Sequence, residues 1–190
     1  MDKNTIQNCI EFLQKAESLK NTVRSAYTSA GRRESSAEHT WRLCLMILTF
    51  EKELAGLDMA KLLKMAVIHD LAEAVCGDIS AVDQKPGSNK AEMEKNGMIS
   101  LLSGLPQDIR DSLFSLWQEY EDKKSPEAAV VKGLDKLETL IQHNQGQAPA
   151  GFIDFSFNIT YGETHMDSHP LLRKIRDLVD VDTRRNANNS

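Results

Sequence analysis

An adjacent histidine and aspartate, His69 and Asp70, follow four apolar residues at positions 65–68. Ionisable side chains are costly to bury unless they are paired or bind a metal ion. Glu73 lies about one helical turn further along on the same face, and Asp78 follows just past the end of the predicted helix. Three carboxylates crowded around one imidazole would repel one another at neutral pH unless a cation were present. This segment therefore indicates a metal site.

Two other predicted apolar helices carry side chains of the same kinds. His39 lies just before an apolar run, and Asp135 lies in the middle of another. With His69 and Asp70 they offer two nitrogen and two oxygen donors, a mixture that suits Mn, Fe, Co, Ni or Zn better than Ca. Each residue alone is equally compatible with a buried, hydrogen-bonded side chain, so the ordered set carries the hypothesis. The other histidines are interpreted as surface or loop residues: His143, His165 and His169.

Helical patterns that begin at recognisable caps predict the elements that position these residues. Ser35 and Glu38 have the spacing of a capping box, Asp58 is a candidate N-cap, and residues 125–127 (Ser-Pro-Glu) form a third start signal. The pattern predicts an all-α bundle of six or seven helices and shows no convincing pair of strands. Residues 77–88 are predicted to form a loop, and residues 152–166 have no clear assignment. The polar tail at 183–190 is predicted to be disordered.

Composition limits the classes of function. The chain has 190 residues, which predicts one domain over residues 1–182. Its net charge of −5 comes without a basic block, which disfavours a nucleic-acid partner. The longest notable apolar stretch, residues 43–48, is far shorter than the roughly 20 residues that span a bilayer. Three scattered cysteines and the lack of a charged-then-apolar leader predict a cytoplasmic protein without a membrane partner.

Three segments carry a specific resemblance to a known family. They are residues 32–39 (RRESSAEH), residues 69–80 (HDLAEAVCGDIS) and residues 116–138 (LWQEYEDKKSPEAAVVKGLDKLE). Together they resemble the HD-domain metal-dependent phosphohydrolases, and most closely the small HD-domain 5′-deoxynucleotidases that include the HD-domain-containing protein 2 branch. The resemblance is strongest over residues 15–142. It implies an all-helical, usually dimeric enzyme that removes phosphate from deoxyribonucleoside 5′-monophosphates with a divalent ion, often Co²⁺ or Mn²⁺, with Zn, Fe, Ni or Mg as further candidates.

The resemblance also assigns roles to residues. It implies that the metal ligands are His39, His69, Asp70 and Asp135. Glu73 and Asp78 would be the catalytic carboxylates, and in some relatives the equivalent residues touch a second ion together with the carbonyl at position 79. Glu73 would orient or deprotonate the attacking water and Asp78 would protonate the leaving oxygen, although the sequence leaves open which carboxylate does which.

Substrate recognition is where this chain departs from the family pattern. Arg24 would bind the 5′-phosphate, because it lies fifteen residues before His39, where the family keeps an arginine. A tryptophan often follows that arginine near the sugar, but this chain has Ser25 there. The choice between deoxyribose and ribose therefore stays open.

Two other functions remain as alternatives. Small HD-domain proteins also hydrolyse guanosine tetraphosphate, but those carry an acidic residue after the glutamate, where this chain has Ala74. A non-catalytic nucleotide-binding or metal-binding module is the second alternative. It is disfavoured because all six candidate metal and catalytic residues are present.

Overall fold

The computed structural model describes residues 1–83 and 89–189, and it is mainly helical. The α-helices are α1 (Lys3–Ala16), α2 (Ser36–Thr49), α3 (Met59–Ile68), α4 (Glu73–Cys76), α5 (Lys90–Leu102), α6 (Gln107–Glu121), α7 (Pro126–Gln145), α8 (Phe155–Asn158) and α9 (Pro170–Asn189). Short 3₁₀ helices cover Glu17–Lys20, Ala81–Asp83 and Glu163–Ser168. The all-α class is confirmed, with more helices than the six or seven expected. Part of the predicted 77–88 loop, residues 84–88, lies outside the described residues.

The predicted helix starts are confirmed by their caps. Ser35 and Glu38 form a complete capping box at the start of α2. The Asp58 carboxylate accepts a hydrogen bond from the Lys61 backbone N–H at the start of α3. The Ser125 hydroxyl accepts one from Ala128 at the start of α7. These caps fix where each helix begins, and so which residues face inward.

Helix α7 is the central element of the bundle. Residues 130, 131, 133–135 and 137–140 are all buried, which is typical of a helix surrounded by protein on every side. One hydrophobic cluster joins it to α2, α3 and α9 through Leu43, Leu62, Leu134 and Leu172. A second cluster joins the ends of α1 and α3 to α5 and α6, around Ile68, Met98, Leu102 and Trp117.

A small antiparallel hairpin corrects the expectation that the chain has no strands. Strand β1 (Val23–Tyr27) pairs with β2 (Arg33–Ser35). A two-stranded hairpin is marginal by itself, but this one packs on α7, where the Gln142 side-chain amide donates to the Tyr27 carbonyl. The Arg33 guanidinium also donates to the Arg24 carbonyl at 2.7 Å. The hairpin therefore holds Arg24 against the central helix.

The predicted third helix is interrupted at the His-Asp pair. Helix α3 ends at Ile68 with His69 as its C-cap, and a turn leads into α4 at Glu73. Gly77 then ends α4 with a φ of 77°, a conformation that favours glycine. The break lets His69, Asp70 and Glu73 point to one region from three different backbone directions.

The expected disordered tail is instead the last part of a helix. Helix α9 runs through Asn189 and crosses the predicted domain boundary at residue 182. Thr183 is fully buried, and its hydroxyl oxygen accepts a hydrogen bond from the Asn144 side-chain amide at 3.0 Å. The prediction of disorder was wrong because it rested on the polarity of this segment alone. The sequence does not show that a polar side chain of the segment hydrogen-bonds to another helix.

Candidate metal centre and active site

The four candidate metal ligands meet between α2, the α3–α4 turn and α7. The two Nε2 atoms of His39 and His69 lie 3.2 Å apart. Asp70 Oδ2 lies 3.0 Å from His69 Nε2, and Asp135 Oδ1 lies 3.2 Å from His39 Nε2. Atoms that each lie about 2.1 Å from one ion are separated by about 3.0–3.4 Å at octahedral or tetrahedral angles. The spacing of His39, His69 and Asp70 therefore fits one divalent ion, and Asp135 lies beside this group in contact with His39.

Hydrogen bonds on the far side of each imidazole support the same conclusion. His39 Nδ1 faces a carboxylate oxygen of Glu138 in a close contact, and His69 Nδ1 lies 2.8 Å from the Ala66 carbonyl oxygen. Both partners are acceptors, so each Nδ1 is placed to donate its proton to them, and each ring in its neutral form would present a lone pair at Nε2. Two nitrogen atoms and an Asp70 oxygen then face one point, with an Asp135 oxygen beside His39. Such a donor set requires a cation or a proton.

Neighbouring charges shift the pKa values of His39 and Asp70. Burial and Arg24 both act to lower the pKa of His39, but Glu138 and Asp135 outweigh them and raise it to about 9. Burial would raise the pKa of Asp70, but the neighbouring histidines hold it below its usual range. A proton on His39 would thus compete with a cation for the same excess of negative charge.

Glu73 lies beside this cluster in a different electrostatic state. It is buried, and the Ser36 hydroxyl donates to its Oε2 at 2.6 Å. Burial, followed by the charges on Asp70 and Asp78, raises the pKa of Glu73 to about 9. A bound cation would oppose this shift, because it neutralises the charge that Asp70 contributes.

A pocket of about 270 Å³ opens beside the cluster. It is lined by Asp70, Glu73, Asp78, Asp135 and Arg24, so the structure brings these predicted site residues together. His39 and His69 are buried behind them. A small ligand in the pocket would therefore meet carboxylate oxygens and a guanidinium at one end.

Arg24 is held in this pocket by three neighbours. Its Nη2 donates to the Thr139 hydroxyl at 3.0 Å, and its Nη1 donates to Asp70 Oδ2 at 3.4 Å. Its Nε lies 3.7 Å from a carboxylate oxygen of Glu34, and both of these atoms are buried without a hydrogen-bond partner. The guanidinium is therefore positioned to hold an anion next to the ligand cluster.

Several residues at the site were missed by the sequence reasoning. Glu138 is fully buried and accepts from Arg42 Nε at 2.6 Å, besides contacting His39. The Tyr120 hydroxyl and the Lys136 ammonium donate to Asp135 Oδ2 at 3.3 and 3.0 Å. The signal for Glu138 was its place three residues after Asp135 in the same apolar stretch, which puts both carboxylates on one face.

Two further groupings bear on metal binding. Glu34, His39 and Glu138 also lie close enough to hold an ion, but Glu138 is already engaged by His39 and Arg42. Near the expected second-ion position, the carbonyl of Ile79 accepts a hydrogen bond from the Lys90 ammonium at 3.4 Å.

His143 differs from its interpretation as a surface or loop residue. It lies in the last turns of α7 and lines the same pocket, where burial lowers its pKa. Its Nδ1 lies 3.0 Å from the side-chain amide nitrogen of the buried Asn158.

Comparison with known proteins agrees with this geometry. A sequence profile described as HD domain matches residues 16–176. The chain belongs to the HD domain family. It is 32% identical over 170 residues to a zebrafish (Danio rerio) protein named 5′-deoxynucleotidase HDDC2, covering 87% of this chain and 82% of the relative. A Dictyostelium discoideum protein of the same name is 32% identical, with 90% of this chain and 95% of the relative covered.

A solved structure shows the same HD-domain fold. It comes from Magnetospirillum magnetotacticum MS-1 and is described as a predicted metal-dependent phosphohydrolase. The TM-score is 0.83 at 23% identity, over 97% of this chain and 96% of the other. Within the described residues of this HD-domain chain, no helix is both long and apolar enough to cross a membrane.

Proposed function

We propose that the protein is a metal-dependent phosphomonoesterase that removes the 5′-phosphate from nucleoside 5′-monophosphates, with deoxyribonucleotides as the first candidates. The observation that carries this proposal is the group formed by His39, His69 and Asp70, with Asp135 beside it, next to a pocket that also presents Arg24. The relatives named 5′-deoxynucleotidase support the choice of substrate.

In this proposal the metal is held by His39, His69, Asp70 and Asp135. A bound divalent ion would supply Lewis-acid chemistry, by lowering the pKa of a water molecule and offsetting charge on the phosphoryl group. The family resemblance favours Mn or Co, and the mixed donors also suit Zn, Fe or Ni, with Mg as a further candidate. Glu73, Asp78 and the Ile79 carbonyl are a candidate second-ion site.

The remaining side chains would bind substrate and move protons. Arg24 binds the phosphate through its fork of N–H groups. Glu73 orients the attacking water or accepts its proton, and Asp78 protonates the leaving 5′-oxygen, with the reverse assignment as the alternative. Because the transition state of phosphoryl transfer is largely dissociative, positioning and charge matter more than a strong nucleophile.

The compartment, the domain extent and the oligomeric state are further proposals. We propose a cytoplasmic protein, because its three cysteines are all free thiols. We also propose a single functional unit, with the predicted boundary at residue 182 moved to the end of α9, and a homodimer, in line with the family resemblance.

Two alternatives remain to be separated from this function. Hydrolysis of guanosine tetraphosphate is disfavoured by Ala74, which lies directly after Glu73. A non-catalytic binding module is disfavoured because Glu73 and Asp78 line the pocket beside the ligand cluster.

The test is a phosphate-release assay on a panel of nucleoside monophosphates, nucleoside triphosphates and guanosine tetraphosphate. We expect activity on the monophosphates that is lost after chelation and returns when Mn²⁺ or Co²⁺ is added. Asp135→Asn should bind less metal and lose activity, whereas Asp108→Asn on α6, away from the pocket lining, should behave as the wild type. Full activity in a strong chelator, or release from none of the monophosphates, would refute the proposal.

A further inference from the structure

One wall of the pocket is aromatic and has no part in the metal or phosphate chemistry. Phe157 and Tyr161 both line the pocket, and their ring centroids lie 5.5 Å apart with planes inclined by 34°. Both side chains are only partly buried, so they keep exposed surface. They belong to the part of the chain after Gln142, where the family resemblance gave no guidance.

The spacing of residues on helix α7 gives the length of the pocket. Asp135, Thr139 and His143 all line it at intervals of four residues. At 1.5 Å per residue they mark a line of about 12 Å along the helix. Asp135 belongs to the ligand cluster, and Thr139 holds Arg24, so His143 marks the end of the pocket away from the phosphate. This length is comparable to that of a nucleoside monophosphate from phosphorus to the outer edge of its base.

The aromatic wall runs alongside the same line. The Tyr161 ring centroid lies 5.4 Å from the Lys136 ammonium, at the level of the ligand cluster. At the other end Asn158, next to Phe157, contacts His143 at 3.0 Å. The wall therefore extends from the phosphate end to the far end of the pocket.

We propose that Phe157 and Tyr161 form the nucleoside subsite, on which the sugar and base of the substrate pack, and that the His143–Asn158 pair closes its base end. This inference rests on the proposed function and names the part of the site that recognises the nucleoside. Aromatic faces suit this task because every nucleobase offers a π-face for stacking. The wall also supplies an aromatic surface in a pocket where Ser25 occupies the position of the family tryptophan.

The test compares binding at the two ends of the pocket in the Mn²⁺-loaded protein. Isothermal titration calorimetry would measure the Kd for a phosphonate analogue of deoxyadenosine 5′-monophosphate, whose P–C bond is not hydrolysed, and for inorganic phosphate, which probes the phosphate end alone. Phe157→Ala and Tyr161→Ala should each weaken nucleotide binding by about 10-fold or more and leave phosphate binding unchanged. Phe157→Leu should fall between Phe157→Ala and the wild type.

A matched control lies two residues away on α8. Phe155 is also partly buried but does not line this pocket, so Phe155→Ala should leave both Kd values unchanged. Equal losses for nucleotide and phosphate, or no loss for either, would overturn the subsite. Because binding is measured apart from turnover, a wild type that binds nucleotide at this wall without releasing phosphate would refute the proposed function alone.

Discussion

Each of the two imidazoles proposed as metal ligands is fixed by a partner on its far side. Ala66 supplies a backbone carbonyl to His69, whereas His39 depends on the buried side chain of Glu138. A carboxylate behind a ligand histidine fixes the tautomer and raises the basicity of the other nitrogen. We therefore expect Glu138 to act as a positioning residue for the proposed metal site.

Glu138→Gln should weaken metal binding while the fold is retained. The amide removes the charge that supports His39 and presents an N–H group to either His39 or Arg42. We expect the Kd for Mn²⁺, measured by competition with a chelating dye, to rise by about 10- to 100-fold. Glu119→Gln, which alters a partly exposed carboxylate that contacts Lys61 and Ser125, is the control. Unchanged Mn²⁺ affinity in Glu138→Gln would contradict this role.

The two carboxylates that would handle protons can be tested separately from the ligands. Glu73→Gln and Asp78→Asn should each lower kcat by about 100-fold or more, because general acid–base catalysis contributes about that much. Elemental analysis should still find at least one metal ion per chain, because the four candidate ligands are unchanged. Glu92→Gln on α5 removes a carboxylate away from the pocket and should change neither quantity. A variant of Glu73 or Asp78 with normal turnover would remove that residue from the mechanism.

At the site, the sequence predicted the candidate metal ligands but not the residues that hydrogen-bond to them. His39, His69-Asp70 and Asp135 stand out because they are ionisable residues in apolar stretches. Tyr120 and Lys136 contact Asp135, but tyrosine and lysine are common in amphipathic helices and carry no such signal. The Tyr120 contact depends on the packing of α6 against α7, which a pattern in one helix does not encode.

At the scale of elements, the sequence predicted those with local start signals. The capping box at Ser35, the cap at Asp58 and the Ser125-Pro126 start are all read from a few neighbouring residues. The β1–β2 hairpin and the end of α9 lack such signals, because both depend on contacts with α7. Elements stabilised by long-range hydrogen bonds were the ones that the sequence missed.

The end of α9 gives a direct test of one such contact. Thr183→Val keeps the shape of a fully buried side chain but removes its hydrogen bonds with Asn144. We expect the free energy of unfolding, measured by urea denaturation, to fall by about 1–2 kcal/mol, the usual cost of leaving a buried polar group unpaired. Thr49→Val, at an exposed position near the end of α2, should change it little. Equal stability of both variants would show that this contact contributes nothing in solution.

At the scale of the whole molecule, the outer face of α2 is unusually apolar. Trp41, Leu45 and Leu48 follow one another at helical spacing and are 65, 45 and 52% exposed. Glu38 and Arg42 are the only acidic or basic residues in this helix apart from the buried ligand His39. A helix that is apolar on both faces is normally buried, so we expect this stripe to form the interface of the proposed homodimer.

Trp41→Glu should convert that dimer into a monomer. Two copies of a buried glutamate would face each other across a two-fold interface, and neither charge would have a partner there. The molar mass in solution, measured by light scattering after size-exclusion chromatography, should fall to half that of the wild type. Leu178→Glu places the same charge at a more exposed apolar position on α9, 74% exposed, and should leave the dimer intact. A wild type that is already monomeric, or a Trp41→Glu variant that stays dimeric, would contradict the assignment of this face, because α2 would then keep its apolar surface exposed to solvent.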